Sequence, residues 1–411
     1  MNNIYPKHLL MTQFPIHDNC LQVGGMPLTQ LAQRVGATPF YAYDRQLITE
    51  RVTLLRTCLP PEIRLHYSMK ANPMPAVVQH MSGLVDGIDV ASVGEMQVAL
   101  NTPMPPNLIS FAGPGKGRNE LSCAIAAGII LNMESEQEME CVANLGQYLG
   151  ICPKVAVRVN PNFELRSSSV KMGGGSRQFG VDSERVPAML TRIDELGLDF
   201  EGFHIFSGSQ SLKAEAIQES HEKTLQLGMR LAQDAPSPAR LINIGGGFGV
   251  PYFPGDQALD LMSIGENLYR LLKNIKQQLP ETKIALELGR YFVAEAGIYV
   301  CRVLERKISR GKVFLLTDGG LHHHLAASGN FGQVIRKNYP VVLGNRVEGA
   351  ERETVSIVGR LCTPLDLLID EMEMTKAQIG DLIVVFQSGA YGLTSSPTAF
   401  LNHPIPPEIL I

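Results

Sequence analysis

A lysine stands at the end of an apolar run, where packing gives a cation no reason to be. Lys70 directly follows the residues IRLHYSM at 63–69. With a lowered pKa its amine can form a Schiff base with an aldehyde cofactor. The alternative is an ordinary solvated lysine just beyond a strand. Position alone leaves both interpretations open.

A second group of residues has the composition of a phosphate site. Gly245, Gly246 and Gly247 end one apolar run, and Arg290 closely follows the next. Glycines let backbone N–H groups approach an anion, and arginine adds a planar fork of charge. A tight turn after a strand is the alternative. Glu287 lies near Arg290, and an amine, a phosphate site and a carboxylate together indicate pyridoxal 5'-phosphate.

Other apolar runs also end in residues with reactive or polar side chains. The second run carries Asp89, the fifth Arg158, and the sixth His204, Phe206 and then Ser209. We expect these residues at the same edge of the fold as Lys70. Of His204 and Phe206 we expect only one to face the site, with the other in the core.

Three consecutive histidines at 322–324 raise the possibility of a metal site. Three neighbours on a strand cannot all point one way, and no other metal-ligand spacing accompanies them. We interpret them as a polar loop cluster and expect no metal.

The elements that must position these residues form a regular alternation. Short β-rich runs are separated by segments whose apolar residues recur at the helical period. There are eight such runs, at 63–69, 87–91, 107–112, 128–133, 154–159, 202–206, 241–246 and 283–288. Eight units predict an α/β fold of the (β/α)8 TIM barrel type, with a doubly wound open sheet as the alternative.

The pattern changes after residue 290, where strand-like runs are joined by turn signals instead of long helices. We therefore predict a barrel at 37–290, whose first strand-like run is 41–44, and a mainly β domain at 291–411. Residues 1–36 are expected to pack with the β domain. The Gly- and Ser-rich insertion at 160–182 is predicted to be a loop.

Composition excludes several classes of protein. The 411 residues are 45% hydrophobic and 18% charged, with a formal net charge of −4. Without a cluster of lysine and arginine, a nucleic-acid or anionic-membrane role has little support. No stretch reaches about 18 consecutive apolar residues, the length that spans a membrane. Seven cysteines without a C-x-x-C pair fit free thiols, so we expect a cytoplasmic protein.

Many ordered motifs together resemble the fold-type III pyridoxal phosphate decarboxylases, the family of diaminopimelate and ornithine/arginine decarboxylases. The resemblance runs over nearly the whole chain. It is carried by YAYD at 41–44, HYSMKAN at 66–72, DVASVGE at 89–95, FAGPGK at 111–116, RVNP at 158–161, QFG at 178–180, GSQ at 208–210, NIGGGFG at 243–249, ELGR at 287–290, Cys362 and GAY at 389–391.

The resemblance implies the roles of individual residues. Lys70 holds the cofactor, Glu287 binds its ring nitrogen, and Cys362 of a partner chain in a homodimer returns a proton after carbon dioxide leaves. The phosphate site and the rest of the cofactor site comprise Asp89, His204, Phe206, Ser209, Gly246, Gly247, Gly289, Arg290 and Tyr391. The substrate site comprises Arg158, Thr363, Asp366 and Tyr391.

Three departures from the family pattern concern the substrate. Phe206 replaces a histidine that usually stacks on the cofactor; the sequence CTPLD at 362–366 lacks the glutamate of Cys-Glu-Ser-Gly-Asp; and LAASGN at 325–330 replaces Arg-Pro-x-x-Tyr. A site without residues that bind a charged group at the end of the substrate side chain no longer selects for such a group. The chain is thus similar to the subgroup of siderophore, exosortase-associated and carrier-bound glutamyl decarboxylases.

We therefore expect α-decarboxylation of an L-amino acid that is conjugated or carrier-linked. The alternatives are a decarboxylase of free diaminopimelate or a free basic amino acid, an amino-acid racemase and a non-catalytic cofactor-binding protein. Racemases of this fold usually place arginine against the ring nitrogen, so Glu287 favours decarboxylation.

Overall fold

All eight predicted strand runs contain strands of one parallel sheet. The structure, a computed structural model, describes residues 8–164, 170–171, 173–333 and 335–411. It divides the chain into two units. The barrel unit contains residues 51–250 and 258–291, and the β unit contains residues 1–50, 251–257 and 292–411.

The parallel sheet closes on itself, which confirms the (β/α)8 prediction over the open sheet. Barrel strands one to eight are Ile63–Ser68, Gly87–Val90, Ile109–Phe111, Ile130–Met133, Lys154–Asn160, Asp199–Ile205, Leu241–Asn243 and Lys283–Leu288. Each pairs with the next, the eighth pairs with the first, and the fourth pairs with the fifth.

A helix follows each barrel strand. These helices are Pro75–Ser82, Val93–Leu100, Arg118–Ala127, Glu136–Leu149, Val186–Glu195, Ala214–Leu231, Leu261–Gln278 and the short Arg290–Val293. The hydroxyls of Ser92 and Ser135 accept hydrogen bonds from the third residue of their helices and so fix where two of them begin. Helix Arg45–Cys58 precedes the first barrel strand.

The barrel strands are buried, yet several carry polar side chains. Buried polar residues include Asp89 and Ser110 on the second and third strands, and Arg158, His204 and Glu287 on the fifth, sixth and eighth. They lie toward the carboxyl ends of their strands, where barrels of this type hold their active sites. The other charged side chains of these strands, Lys154, Asp199, Glu201 and Lys283, lie toward the opposite, amino ends.

The β unit is mainly β, as predicted, and its sheets use both ends of the described chain. A small antiparallel sheet contains Ile16–His17, Cys20–Val23 and Met26–Pro27, followed by helix Leu28–Val35. A large sheet contains Phe40–Tyr43, Gly297–Ser309, Lys312–Thr317, Val341–Leu343, Arg352–Val358, Leu367–Thr375, Leu382–Val385 and Glu408–Leu410. Phe14, Leu28 and Leu31 share a buried core with Ile298 and Val384.

Three details differ from the sequence prediction. Strand Phe40–Tyr43, expected to open the barrel, pairs with Gly297–Ser309 and Glu408–Leu410 in the β unit. It is buried along its whole length, and such a run fits a central position in either sheet. The insertion at 160–182 contains the short strands Val170–Lys171 and Val181–Asp182; its residues 165–169 and 172 lie outside the described residues. Residues 251–257 belong to the β unit.

Within the described ranges, no helix is both long and apolar enough to cross a membrane.

Candidate active site

Lys70 lies at the carboxyl end of the first barrel strand, on the single helical turn Met69–Ala71. Its side chain is exposed, whereas Met69 and Ala71 on either side are buried. The chain therefore turns so that the backbone is anchored and the amine is free to reach the cavity that it lines. Its Nζ lies 5.8 Å from the centroid of the Phe206 ring.

Glu287 and His204 form a buried pair inside the barrel. His204 Nε2 and Glu287 Oε2 are 2.8 Å apart. Burial alone raises the pKa of Glu287, but its hydrogen bond and electrostatic interaction with His204, together with the charges of Lys70 and Arg158, outweigh it and hold that pKa below its usual value. Glu287 is therefore a carboxylate at neutral pH, as a partner for a protonated ring nitrogen must be.

His204 and Phe206 both line the cavity, so the expectation that only one of them would face the site was wrong. Residues two apart on a strand point to the same face, and Phe206 continues the line of strand Asp199–Ile205. The cavity thus gains an aromatic ring beside the amine of Lys70.

Asp89 is the penultimate residue of the second barrel strand and also lines the cavity. Its Oδ1 accepts a hydrogen bond from the Ser110 hydroxyl, which accepts one of 3.0 Å from Asn132 Nδ2. Its Oδ2 is buried without a hydrogen-bond partner among the described residues. One oxygen is therefore fixed by the barrel and the other remains for a bound group.

Arg158 is held by a residue that the sequence reasoning missed. Glu134 Oε1 accepts hydrogen bonds from Arg158 at 2.6 Å and from Gly113 N at 2.7 Å, and its Oε2 accepts one of 2.7 Å from Gly180 N. The Arg158 guanidinium also lies over the Phe179 ring. Because Glu134 follows the fourth run just as Lys70 follows the first, its position was the signal that could have found it.

The glycine loop after the seventh strand packs directly on the eighth. A Cβ on Gly246 would lie 2.2 Å from the carbonyl oxygen of Glu287, so no other residue fits there. Gly247 has φ +83°, and its carbonyl accepts a hydrogen bond from Ser211 N. In the part of the chain that the structure describes, no group accepts a hydrogen bond from the backbone N–H of Gly246 or Gly247.

The other residues of the barrel unit that the sequence predicted to bind the cofactor lie at the same end of it. Ser209 is half-buried in the two-residue strand Gly208–Ser209, and Gly289 packs against the carbonyl of Ser68. Arg290 is half-buried and begins helix Arg290–Val293. The structure thus brings the barrel residues of the prediction to one end of the barrel.

The structure places Cys362, Thr363, Asp366 and Tyr391 in the β unit. Cys362 is exposed in a turn, and Tyr391 is half-buried with φ +52°. Asp366, expected to contact substrate, is buried, and its carboxylate accepts backbone hydrogen bonds from Leu361 N at 2.8 Å and from Leu321 N at 2.7 Å. Asp366 therefore shapes the turn that carries Cys362.

The histidines at 322–324 are fully buried in the β unit. The His324 ring packs against Tyr299 and Tyr339, the His322 ring packs against His323 and His403, and burial lowers the pKa of His324 to about 3. No group of histidine, cysteine or acidic side chains suited to a metal ion occurs among the residues described.

The site residues of the barrel enclose a cavity of about 330 Å³. Its polar lining residues are Ser68, Lys70, Asp89, Arg158, His204 and Glu287. An amine, an ionised carboxylate and an aromatic ring around one cavity suit covalent capture of a carbonyl group and stabilisation of a cationic ring.

Comparison with known families identifies the same region. Residues 45–294 match the family described as pyridoxal-dependent decarboxylase, pyridoxal binding domain. This match includes every site residue of the barrel unit.

Curated relatives cover almost the entire chain. An L-glutamyl-[BtrI acyl-carrier protein] decarboxylase of Niallia circulans is 38% identical over 93% of this chain and 90% of that protein. A diaminopimelate decarboxylase of Aquifex aeolicus is 30% identical over 96% and 91%. The 2-[(L-alanin-3-ylcarbamoyl)methyl]-2-hydroxybutanedioate decarboxylase of Staphylococcus aureus is 27% identical over 90% and 93%.

Solved structures share the fold. The crystal structure of AQ1208 from Aquifex aeolicus has a TM-score of 0.84 and 30% identity, covering 97% of this chain and 92% of its own.

Proposed function

Because this chain belongs to the pyridoxal-dependent decarboxylases, we propose that it removes the α-carboxyl group of an L-amino acid whose side chain is conjugated or carried on a protein. The chain is a carboxy-lyase, and its cofactor is pyridoxal 5'-phosphate. The observation that carries the finer proposal is the 38% identity to a decarboxylase that acts on a carrier-bound glutamyl group.

The cavity fits this cofactor. Lys70 offers an amine, Phe206 a ring on which a pyridine can stack, and Glu287 a carboxylate kept ionised by its neighbours. Buried atoms without hydrogen-bond partners in the described chain, His204 Nδ1 and Asp89 Oδ2, lie on residues that line the cavity. Buried polar atoms are normally satisfied, so a polar group bound here explains both.

Bound pyridoxal 5'-phosphate supplies an aldehyde that reacts with amines and a protonated ring that withdraws electrons from the bond to the departing carboxyl group. We propose that Lys70 Nζ holds the cofactor and that Glu287 keeps the proton on the ring nitrogen. Asp89, His204 and Phe206 enclose the ring. In the barrel unit the phosphate is held by Ser209, Gly247 and Arg290, and Gly246 and Gly289 belong to the rest of the cofactor site.

The turn that carries Cys362 supports an uncharged contact with the substrate side chain. Between Leu361 and Leu365 it contains no charged residue, and the Thr363 hydroxyl accepts a hydrogen bond from Leu365 N. The segment 325–330 is also uncharged, and nearby Arg336 donates to the carbonyl oxygens of Ser328 and Leu367. An ammonium or carboxylate at the end of a free amino acid finds no partner in either segment, whereas an amide or thioester needs none.

The test is carbon dioxide release by the loaded enzyme. The substrates are a glutamyl thioester on an acyl-carrier protein, the same thioester on pantetheine, a citryl-amino-acid conjugate, free glutamate, lysine and meso-diaminopimelate. We expect kcat/KM at least about 100-fold higher for a conjugate than for any free amino acid. Rapid turnover of a free basic amino acid overturns the substrate proposal, and loss of optical rotation without gas release overturns decarboxylation.

We also propose a homodimer in which Cys362 of one protomer returns a proton to the carbon that has lost its carboxyl group in the partner's site. Cys362 is exposed, and neighbouring Leu365 is 60% exposed, as expected of a turn that a second copy covers. Arg158 and Thr363 then contact the substrate. All seven cysteines are free, which supports a cytoplasmic location.

Mixing two inactive variants tests this arrangement. After exchange of subunits between Lys70→Ala and Cys362→Ala, half of the dimers are mixed and carry one intact site, so about a quarter of wild-type activity returns. If each site is built within one protomer, no activity returns.

A further inference from the structure

His66 occupies the middle of the first barrel strand and is 5% exposed. In the parallel ladder it is directly opposite Glu287 on the eighth strand and opposite Gly87 on the second. Opposed residues of neighbouring strands point to the same face of the sheet, so His66 and Glu287 share the barrel interior. None of the roles proposed above uses His66.

Gly87 gives the imidazole its space. A Cβ on Gly87 would lie 2.7 Å from His66 Nε2 and 2.8 Å from its Cε1. The His66 ring therefore lies across the second strand, where any larger residue would displace it. This placement brings the ring toward Asp89, two residues further along the same strand.

The ring contacts the carboxylate that has one oxygen left for a bound group. His66 Nδ1 lies 3.4 Å from Asp89 Oδ1, the oxygen that also accepts the Ser110 hydroxyl. Ser110 is in turn fixed by Asn132. Three barrel strands thus hold Asp89 Oδ1, while its Oδ2 lacks a partner among the residues described.

The charges around His66 are negative. Burial by itself lowers the pKa of His66, but Asp89, Glu287 and Asp86 raise it above its ordinary value. Asp86 is already paired with Arg56 at 2.8 Å, and Lys70 and Arg158 act on Glu287 from the cavity side. Asp89 is the carboxylate that His66 contacts directly.

We propose that His66 is a positioning residue whose imidazolium, on the strand between those of Glu287 and Asp89, holds Asp89 by direct contact and acts on Glu287 across the strand pair. His204 anchors Glu287 from one side, and His66 acts on it from the neighbouring strand. The proposal rests on the decarboxylase site described above, because it assigns His66 a role through residues of that site.

Proton NMR of the holoenzyme labelled with [¹³Cε1]histidine tests the charge of His66 without reference to turnover. The chain has ten histidines, and the His66 signal is the one missing from His66→Gln. We expect it to titrate above the ordinary value of 6.5 and to move down in Asp89→Asn. Titration at or below 6.5 overturns the proposal, and so does a midpoint that Asp89→Asn leaves unchanged.

The pH profile separates positioning from packing. In His66→Gln we expect kcat to fall about tenfold with little change in KM, because positioned carboxylates matter most during the chemical step. Without the cation, Glu287 ionises at higher pH, so the acid limb of the kcat profile moves to higher pH. The basic limb that reflects loss of the His66 proton disappears.

His66→Phe keeps an aromatic ring over Gly87, and His17→Gln removes an exposed histidine as a control. We expect kcat of His66→Phe to be lower than kcat of His66→Gln. We expect kcat of His17→Gln to match that of the wild type. A purely structural role would lower thermal stability in both His66 variants and leave the pH profile unmoved, which contradicts the proposal. The NMR result remains informative if no tested substrate is turned over. Failure of the substrate proposal can therefore be distinguished from failure of the proposal for His66.

Discussion

Glu287 and His204 are joined inside the barrel by a 2.8 Å contact, with only 7% and 3% of their side chains exposed. A carboxylate so enclosed would become neutral without a cation beside it. The pair therefore favours the ionised form of Glu287, which its proposed role beside a cationic cofactor ring requires.

Replacing His204 tests this dependence. Without the imidazole the pKa of Glu287 rises, because burial then acts with less opposition. We expect His204→Asn to lower kcat by about 10- to 100-fold and to shift the acid limb of the kcat profile to higher pH. His80→Asn, on the outer helix Pro75–Ser82, is the control, and an unmoved acid limb in His204→Asn contradicts the assignment.

Lys70→Ala should reduce turnover at least about 1,000-fold, because among the described residues that line the cavity Lys70 alone is a lysine and can supply the amine that holds the cofactor. The visible absorbance of the bound cofactor should also move toward that of the free aldehyde. Lys273→Ala, which removes a lysine on helix Leu261–Gln278, should leave both unchanged. A nearly wild-type rate in Lys70→Ala is incompatible with the mechanism.

Glu134→Ala should destabilise the barrel by about 3 kcal/mol, because it leaves the buried Arg158 charge without its partner. Arg158 and backbone N–H groups hold the pKa of Glu134 below its usual value, although burial opposes them. The stabilisation is thus present above the unfolded-state pKa and is lost as the pH falls through the folded-state value.

Urea unfolding at neutral and acid pH measures this effect. The difference in the free energy of unfolding between the wild type and Glu134→Ala should be smaller at acid pH. Glu140→Ala breaks an exposed pair with Arg192 and should change little. Glu134→Leu combined with Arg158→Met should recover stability but not turnover. Recovery of turnover in the double variant would show that Arg158 is dispensable.

Thr363→Glu should introduce, directly after Cys362, a carboxylate that can bind the ammonium at the end of a substrate side chain. We expect kcat/KM for meso-diaminopimelate or lysine to rise about tenfold over wild type, and that for a conjugated substrate to fall. Thr363→Gln, similar in size but uncharged, separates charge from volume. Equal changes in both variants would mean that the turn does not read charge.

Asp366→Asn should loosen the turn that carries Cys362. The Asp366 carboxylate accepts hydrogen bonds from two backbone N–H groups. The amide of asparagine can accept only one of them and places its own N–H against the other, at a cost of about 1–2 kcal/mol. We expect Cys362 to react faster with a thiol reagent while the other exposed thiols, Cys123 and Cys152, keep their rates. Asp194→Asn, at an exposed helical position, is the control.

The sequence predicted the barrel well because each of its strands is a short apolar run followed by a helix with a periodic apolar face. It predicted Lys70 and Glu287 to lie at one end of the barrel, where the structure has them, because both stand near strand ends, where packing does not explain a charge. Strand Phe40–Tyr43 was assigned to the wrong sheet because its partners lie more than 250 residues away along the chain, at Gly297–Ser309 and Glu408–Leu410.

Residues that act through others were harder to predict. Glu134 and Asp366 accept hydrogen bonds from backbone N–H groups of distant loops. Such contacts leave no local pattern in the sequence. The shared direction of His204 and Phe206 was available from strand geometry alone, so that error was one of reasoning and not of missing information.

The pairing of Phe40–Tyr43 with Glu408–Leu410 has a consequence for biosynthesis. Strand Phe40–Tyr43 emerges from the ribosome hundreds of residues before its neighbour in the sheet, strand Glu408–Leu410. The barrel strands, in contrast, pair mostly with their nearest successors, so the barrel can assemble during translation. We expect nascent chains lacking the final strand to display a folded barrel beside an open sheet edge, the species on which chaperones would act.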